Sequence, residues 1–596
     1  SETGQQPAID AAWFKAHYVK NEYMIPMRDG IRLYTAVYTP KNRRSHHPIL
    51  LTRTPYGCGP YGRRNASFWQ QAIFEDYLRA DYIIVFQDVR GRWRSEGEFV
   101  NIRPYVADKS SGAIDESSDT YDTVEWLLRK LKCHNGRVGV FGNSYSGFYA
   151  LMAAASGHPA IRAVSPQAPI CDWFLGDDFH HNGALALSDA VGFLPNFGTA
   201  ARTKPTDRPE PFDTPVKGNP VEYLHDNTVA DITRALGGSI PFWDEMAAHP
   251  DYDSWWQQRS ALNATHDIRP AILMVGGLFD AEDLYGTWNI YRAIRQNNPQ
   301  TDCRIVMGPW THGAWRSNGD ANAVGHIRFS EESLSQFYRH QVEFPFFDHY
   351  LRDAEHSGAT TTGALIFFSG ENCWREMEGW DPENQSRPHT LYLAEGGSLT
   401  TAPSDISEAY SFYTSDPNDP VPYYPDMPWP RRKEYMTVGQ EFLDGRHDVL
   451  TFLSPRLEND MAVIGPIDVT LHAAISTTDA DFVVKIIDVG PDGEYEMMVR
   501  GDIMRGRYRN GFSSPEAFTP GKVERITLML PDVAHTFMAG HRIKVQIQST
   551  WFPLFDRNPQ QMIDTYTCTK EDFVPCDVKI YHDAERQSSV TLHVMK

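Results

Sequence analysis

The 596-residue chain predicts an α/β core interrupted by a helical insertion and followed by an all-β domain. Three patterns lead there. Short apolar runs bounded by turn residues alternate with helical spacing over residues 21–168. Residues 172–267 lose the strand pattern and become rich in Trp, Asp, His and Pro, and beyond about residue 359 short alternating strands separated by Pro and Gly take over. So long a chain exceeds one hydrophobic core, so several domains are expected. With 41% hydrophobic and 12% aromatic residues it has an ordinary globular composition. No stretch approaches the roughly 18 uninterrupted apolar residues of a membrane span. A net charge of -21 excludes a nucleic-acid partner, which needs clustered Lys and Arg, and favours small cations.

In chain order, residues 1–20 form an N-terminal arm. Ile49-Leu50-Leu51 and Tyr82-Ile83-Ile84-Val85-Phe86 are buried strands. Val124, Leu127, Leu128 and Leu131 recur at helical spacing. Val138-Gly139-Val140-Phe141 then makes a strand that enters the turn Gly142-Asn143-Ser144-Tyr145-Ser146-Gly147, and Phe148, Leu151, Met152 and Ala155 start a helix. Strand character returns at Ala271-Ile272-Leu273-Met274-Val275 and Arg304-Ile305-Val306-Met307, before a helical stretch over 336–350. The core therefore takes in residues 21–171 and 268–358, the helical cap 172–267 and the β-sandwich 359–596. In the last, Ile467/Val469/Leu471, Ile526/Leu528/Leu530 and Ile543/Val545/Ile547 alternate. Residues 417–430 are proline-dense and read as an extended surface loop. Seven scattered cysteines without a CxxC pair argue against a zinc framework; Cys568 and Cys576 are close enough to bridge a hairpin, with two free thiols the preferred reading. The start Ser1-Glu2-Thr3-Gly4 has no apolar targeting segment, which suits a cytosolic protein or one whose signal peptide has been removed.

Strand, tight turn and helix are the setting of a nucleophile elbow, and Ser144 sits at its apex. A serine hydroxyl needs a base to take its proton and a carboxylate to orient that base. In an α/β-hydrolase these follow the order nucleophile, acid, histidine, each after a strand. Ser144, Asp280 and His312 satisfy that order; Asp267 and His266 compete with the last two but follow no buried strand. The fifth motif position is Ser146, with glycine one place later at Gly147, so G-x-S-x-G is not met literally, and on the motif alone Ser144 could be a surface turn serine. The Tyr145 backbone N–H is the first oxyanion donor. The second belongs to the loop Thr52-Arg53-Thr54-Pro55-Tyr56-Gly57, where Tyr56 reads equally as a donor and as a packed aromatic.

These residues carry a resemblance. The 52–57 loop, Gln87-Asp88-Val89-Arg90-Gly91 with Ser95-Glu96-Gly97-Glu98, the Ser144-Tyr145-x-Gly147 elbow and Phe552-Pro553-Leu554-Phe555-Asp556-Arg557-Asn558-Pro559 resemble the cocaine-esterase and Xaa-Pro dipeptidyl-peptidase (CocE/NonD) group. Within it the sequence is most similar to the α-amino-acid ester hydrolases, through Gly176-Asp177-Asp178-Phe179, Gly277-Leu278-Phe279-Asp280-Ala281-Glu282-Asp283 and Met307-Gly308-Pro309-Trp310-Thr311-His312. The resemblance covers nearly the whole chain. It implies an α/β-hydrolase core, a helical cap and a C-terminal jelly roll, with Tyr56 as second oxyanion donor through its phenol. It also implies that Asp178, Glu282 and Asp283 bind the substrate's α-ammonium, a role that a cation beside the scissile carbonyl would demand on electrostatic grounds. Taken bare, Glu282 and Asp283 would be a solvated acid pair at a helix start. The implied activity is hydrolysis of small-molecule α-amino-acid esters or related amides, with acyl transfer to an amine such as a β-lactam nucleus, in an exported (periplasmic or secreted) homotetramer. No cofactor, metal, nucleic acid or membrane is implied. Asn143 and Ser146 depart from the serine and glutamate of the group, which bears on acyl preference. A dipeptidyl peptidase and a general carboxylesterase are the rival enzymes, and a carbohydrate-binding protein with a vestigial core the rival from another class. His180 and His181 are read as cap packing, and Asp88, Arg90 and Glu96 as an ion-pair turn. Trp310, Phe279, Trp173 and Phe179 are read as core, with one or two touching substrate.

Overall fold

The computed structural model describes residues 4–198, 205–357 and 363–596; the first residues of the expected arm, part of the cap and the 358/359 boundary lie outside them. Ten strands build the core sheet: β1 (Tyr18–Pro26), β2 (Arg32–Pro40), β3 (His47–Thr54), β4 (Ile83–Asp88), β5 (His134–Asn143), β6 (Ile161–Gln167), β7 (Ala271–Gly277), β8 (Cys303–Gly308), β9 (Ala364–Phe368) and β10 (Cys373–Met377). They lie in the order β1-β2-β4-β3-β5-β6-β7-β8-β9-β10. From β4 to β9 every neighbour is parallel, and antiparallel pairs close both edges.

Burial on both faces makes the central strands continuous apolar runs, which is why Ile49 to Leu51 and Ala271 to Val275 were legible. The sheet runs past the expected boundary. Ala364-Leu365-Ile366-Phe367-Phe368 is fully buried and pairs parallel to β8, so these residues complete the core before the β-domain begins. At the other end Ala11–His17 is helical, and Phe14 packs on Tyr38 and Phe68 of its own chain. Helices α1 (Glu116–Lys130), α2 (Tyr145–Ala154) and α3 (Leu284–Asn297) flank the sheet. No described helix is long and apolar enough to cross a membrane.

The cap carries short helices at Leu187–Phe193, Pro220–Asp226, Val229–Leu236 and Pro241–Ala248. The β-domain strands are longer than the alternating triplets suggested: Met461–Ile475 pairs Glu524–Phe537 almost throughout, with a register shift between Gly465 and Ile467. All seven cysteines are free. His180 and His181 are cap packing, their rings held by the Trp173 carbonyl and Tyr566 hydroxyl and by Asp502. Asp88, Arg90 and Glu96 do not pair with one another. Arg90 bridges Asp119 and Asp29, Glu96 takes Arg32, and Asp88 accepts the Cys58 amide and the Tyr61 hydroxyl, fixing the loop that bears Tyr56. The ion-pair turn is thus three separate anchors, because each group finds a nearer partner on another element.

The 552–559 segment binds cap to β-domain: the Pro553 carbonyl accepts the Ser188 amide, the Asp556 amide donates to the Leu185 carbonyl, and Arg557 donates to the Leu224 carbonyl. Arg500, 2% exposed, joins β-domain to core. It donates to the carbonyls of Leu278 (2.7 Å), Asp532 (2.7 Å) and Pro531 (3.2 Å), and so grips the turn after β7. Arg500→Met leaves these buried acceptors without donors and is expected to destabilise by about 3 kcal/mol. The midpoint of the first urea transition reads this; an unchanged midpoint refutes it.

Candidate active site

β5 ends at Asn143 and α2 starts at Tyr145, so Ser144 alone makes the turn and takes φ 65°, ψ -118°. That strained conformation is what projects an elbow hydroxyl from the sheet. Its neighbours must be small. A Cβ on Gly142 would lie 2.0 Å from the Ser146 carbonyl oxygen, and one on Gly147 would lie 2.6 Å from that of Gln167. Glycine is therefore required two places before and three places after Ser144, which explains the shifted motif.

As the first residue of α2, Tyr145 presents an N–H with no carbonyl one turn before it inside the helix. Its phenol is committed elsewhere, donating to Asn101 Oδ1 (2.9 Å) and accepting the Ile102 amide (2.7 Å). Tyr56 lines the same cavity as Ser144, its ring edge-on to Tyr145, and among the described hydrogen bonds its hydroxyl makes none. Desolvation by the cavity walls, then the charges of Asp178, Asp283 and Glu282, hold that phenol protonated, which keeps it a donor.

His312 follows β8 and Asp280 follows β7. His312 Nδ1 donates to Asp280 Oδ2 at 2.9 Å, while Asp280 Oδ1 accepts the amides of Glu282 (2.7 Å) and Asp283 (3.0 Å). Nε2 of His312 faces Glu282 Oε2 at 3.0 Å, and Ser144 Oγ donates to Asp283 Oδ2 at 3.3 Å. Among the described residues no hydrogen bond joins Ser144 to His312.

One oxygen each from Asp178, Glu282 and Asp283 converges within 4.8 Å. Asp178, at φ 44°, accepts Trp173 Nε1 at 2.8 Å, and its amide donates to the Glu282 carbonyl. Neighbouring Asp177 is structural, accepting the amides of Cys171, Asp172 and Gly286. Crowding splits the three acids. Burial, then the charge of Glu282, raises Asp178 to about 7; burial and Asp178 push Asp283 well up. Burial works against Glu282 as well, but His312 and then Arg431 outweigh it and bring it to about 2. Burial likewise disfavours the His312 imidazolium, yet Asp280 and Glu282 hold its pKa well above the usual value.

All eight residues singled out in the sequence thus meet around Ser144, in and about a cavity of about 550 Å³. Of the four aromatic candidates only Phe179 lines it; Trp310, Phe279 and Trp173 are buried core. Sequence reasoning missed Phe193 and Asp189 of the cap, and Trp429, Pro430 and Arg431 of the β-domain. Trp429 and Pro430 end the proline-dense stretch and Arg431 follows it, so the stretch is only in part a surface loop. Tyr423 is buried, and its amide donates to the Phe552 carbonyl, drawing the segment inward as a strap.

Residues 29–314 match the family model of the X-Pro dipeptidyl-peptidase (S15 family), and residues 350–591 match the X-Pro dipeptidyl-peptidase C-terminal non-catalytic domain. Cocaine esterase of Rhodococcus sp. (strain MB1 Bresler) is 29% identical over 97% of this chain and 99% of its own. Among solved structures, an aminopeptidase from the marine sediment archaeon Thaumarchaeota archaeon superposes with a TM-score of 0.89 at 34% identity, and an α-amino acid ester hydrolase with 0.89 at 33%. Each covers 100% of this chain, and the match takes in 99% of the other.

The elbow geometry makes a direct prediction. In Gly142→Ala the added Cβ pushes the Ser146 carbonyl and with it Ser144; an ångström of misplacement costs about 100-fold in rate. A folded variant that reacts with a fluorophosphonate at the wild-type rate would show that the elbow tolerates the shift.

Proposed function

The chain belongs to the X-Pro dipeptidyl-peptidase family and is a serine hydrolase of its CocE/NonD group, and we propose that its substrates are α-amino-acid esters and related amides. One observation carries this reading: Ser144 Oγ hydrogen-bonds to Asp283, a member of the carboxylate cluster, at 3.3 Å. In an α-amino ester the nitrogen lies about 2.5 Å from the carbonyl carbon, across a single Cα. An ammonium among Asp178, Glu282 and Asp283 therefore sets its own carbonyl at Ser144. A dipeptide's ammonium lies about one residue, roughly 3.5 Å, farther off and fits a cluster at such close range less well.

Ser144 Oγ attacks that carbonyl while His312 Nε2 takes its proton, with Asp280 holding Nδ1–H and stabilising the imidazolium. The Tyr145 amide and the Tyr56 hydroxyl receive the oxyanion, each worth about 3 kcal/mol to the transition state. The imidazolium then protonates the departing alkoxide, leaving an acyl-Ser144 ester. Water attacks this by the same route, returning the acid and free Ser144; an amine in its place accepts the acyl group. Release of one N-terminal residue from a peptide is the second reading, favoured by the 34%-identical aminopeptidase.

Ser144→Ala is expected to abolish acyl-enzyme formation with the fold intact. Phenylalanine methyl ester, a phenylalanine anilide and a Gly-Pro anilide then separate the readings: fastest turnover of the first supports the proposal, and of the last overturns it. Glu282→Gln should cut kcat/KM for the amino ester about 10- to 100-fold. The pH dependence follows from His312. Asp280 and Glu282 touch it, Asp283 lies 3.9 Å away, and a base must be neutral. For an ester without the amine, kcat/KM should rise with pH through the elevated His312 pKa, and Glu282→Gln, removing one anion, should move that rise to lower pH. A profile that the substitution leaves in place counts against His312 as base.

A further inference from the structure

Glu282 is gripped on both oxygens. Oε2 receives His312 Nε2 at 3.0 Å, and Oε1 receives a guanidinium nitrogen of Arg431 at 3.2 Å. Arg431 comes from the β-domain strap, and its Nε donates to Asp189 Oδ1 of the cap at 2.7 Å. Only 11% exposed, it stands in the wall of the Ser144 cavity. A single guanidinium thus links three domains at the site.

This arrangement puts recognition and proton transfer in competition for the same carboxylates. While Nε2 donates to Glu282 it cannot accept the Ser144 proton, and Ser144 Oγ is itself turned to Asp283. An ammonium between Asp178, Glu282 and Asp283 has three N–H donors for three carboxylates, and so draws on the same side chains that hold Nε2 and Oγ. When it takes them, Nε2 and Oγ lose their partners together and can turn to each other. The Nε2 proton passes to solvent, so one cation replaces another against Glu282. For the exchange to work, Glu282 has to let go of His312 without swinging after it, and has to stay anionic. The Arg431 contact on Oε1 meets both needs, and Asp189 keeps Arg431 in place.

We propose that Arg431 is a positioning residue that pins Glu282, so that this carboxylate passes from His312 to the substrate ammonium and releases the base to Ser144 only for acyl groups that carry the amine. The inference rests on the α-amino ester reading and deepens it: selection for the amine acts on turnover as well as on binding.

The test compares phenylalanine methyl ester with its amine-free analogue, methyl 3-phenylpropanoate, on wild type, Arg431→Met and Arg431→Lys. In Arg431→Met the preference for the amine, as a ratio of kcat/KM values, should fall about 10- to 100-fold, as for loss of a charge-assisted hydrogen bond. The amino ester should lose kcat and not only KM, and Arg431→Lys should recover most of the preference. A fluorophosphonate label on Ser144 reports whether each variant keeps its elbow. If Arg431→Met does not, Arg431→Lys decides, its retained preference supporting the assignment and a lost one overturning it. Equal loss on both esters, or none, overturns the role of Arg431 alone. A wild type indifferent to the amine overturns the proposed function, and this inference with it.

Discussion

Asp280 accepts hydrogen bonds on both oxygens, from His312 on one and from the amides of Glu282 and Asp283 on the other. The same carboxylate that holds the His312 ring therefore folds the turn that carries two of the three clustered acids. Their spacing from Asp280 is a consequence: only the second and third residues past an acid at a turn apex can return their amides to it. The other domains fasten to this turn. The Asp178 amide reaches the Glu282 carbonyl from the cap, and Arg500 reaches the Leu278 carbonyl from the β-domain. Moving the turn would disturb the contact to His312, the acid cluster and both domain junctions together.

What the sequence revealed and what it hid divide along the same line. Ser144, Asp280 and His312 each follow a buried strand, so local pattern was enough to single them out as candidates. Glu282 and Asp283 were legible through Asp280. Asp178 has no local signature, sitting at positive φ in the cap beside the equally acidic but structural Asp177, and only family resemblance told the two apart. Arg431 and Asp189 were invisible, because their meaning lies in a contact across 242 residues. The one available signal was the proline density of 417–430, since a chain stiffened by proline can be held as a strap at lower entropic cost. The end of the core was misplaced for a related reason: β9 is an apolar run after a long helical stretch, and its pairing with β8 is non-local.

The molecule also contains a control for the argument from residue type. Ser369 Oγ lies 2.7 Å from His535 Nδ1, and His535 Nε2 lies 2.8 Å from Asp488 Oδ2, which is a second Ser-His-Asp chain. All three side chains are at most 1% exposed and line no described cavity. Ser369 also donates to the Ala534 carbonyl, and no positive φ thrusts it outward. Here the triad is a satisfied polar network holding β-domain to core. What distinguishes Ser144 is the strained elbow, the available amide beside it and a cavity of charged walls, none of which follows from the three residue types.

That charged wall has a cost for the folded state. Asp178 and Asp283, with raised pKa values, contribute stability that is present below the ordinary carboxylate range and is lost as pH rises, through about 7 for Asp178. Glu282 runs the opposite way, stabilising above the ordinary value and losing that only as pH falls through about 2. On the α-amino ester reading proposed above, a substrate ammonium relieves the repulsion, but it is present in ground state and transition state alike. Binding it more tightly would by itself lower KM and leave kcat unchanged. On that reading it reaches kcat because Glu282 and Asp283 are also the partners of His312 and Ser144. In the proposed exchange the ammonium displaces ground-state contacts that oppose proton transfer, and so converts recognition of a spectator charge into a lower barrier.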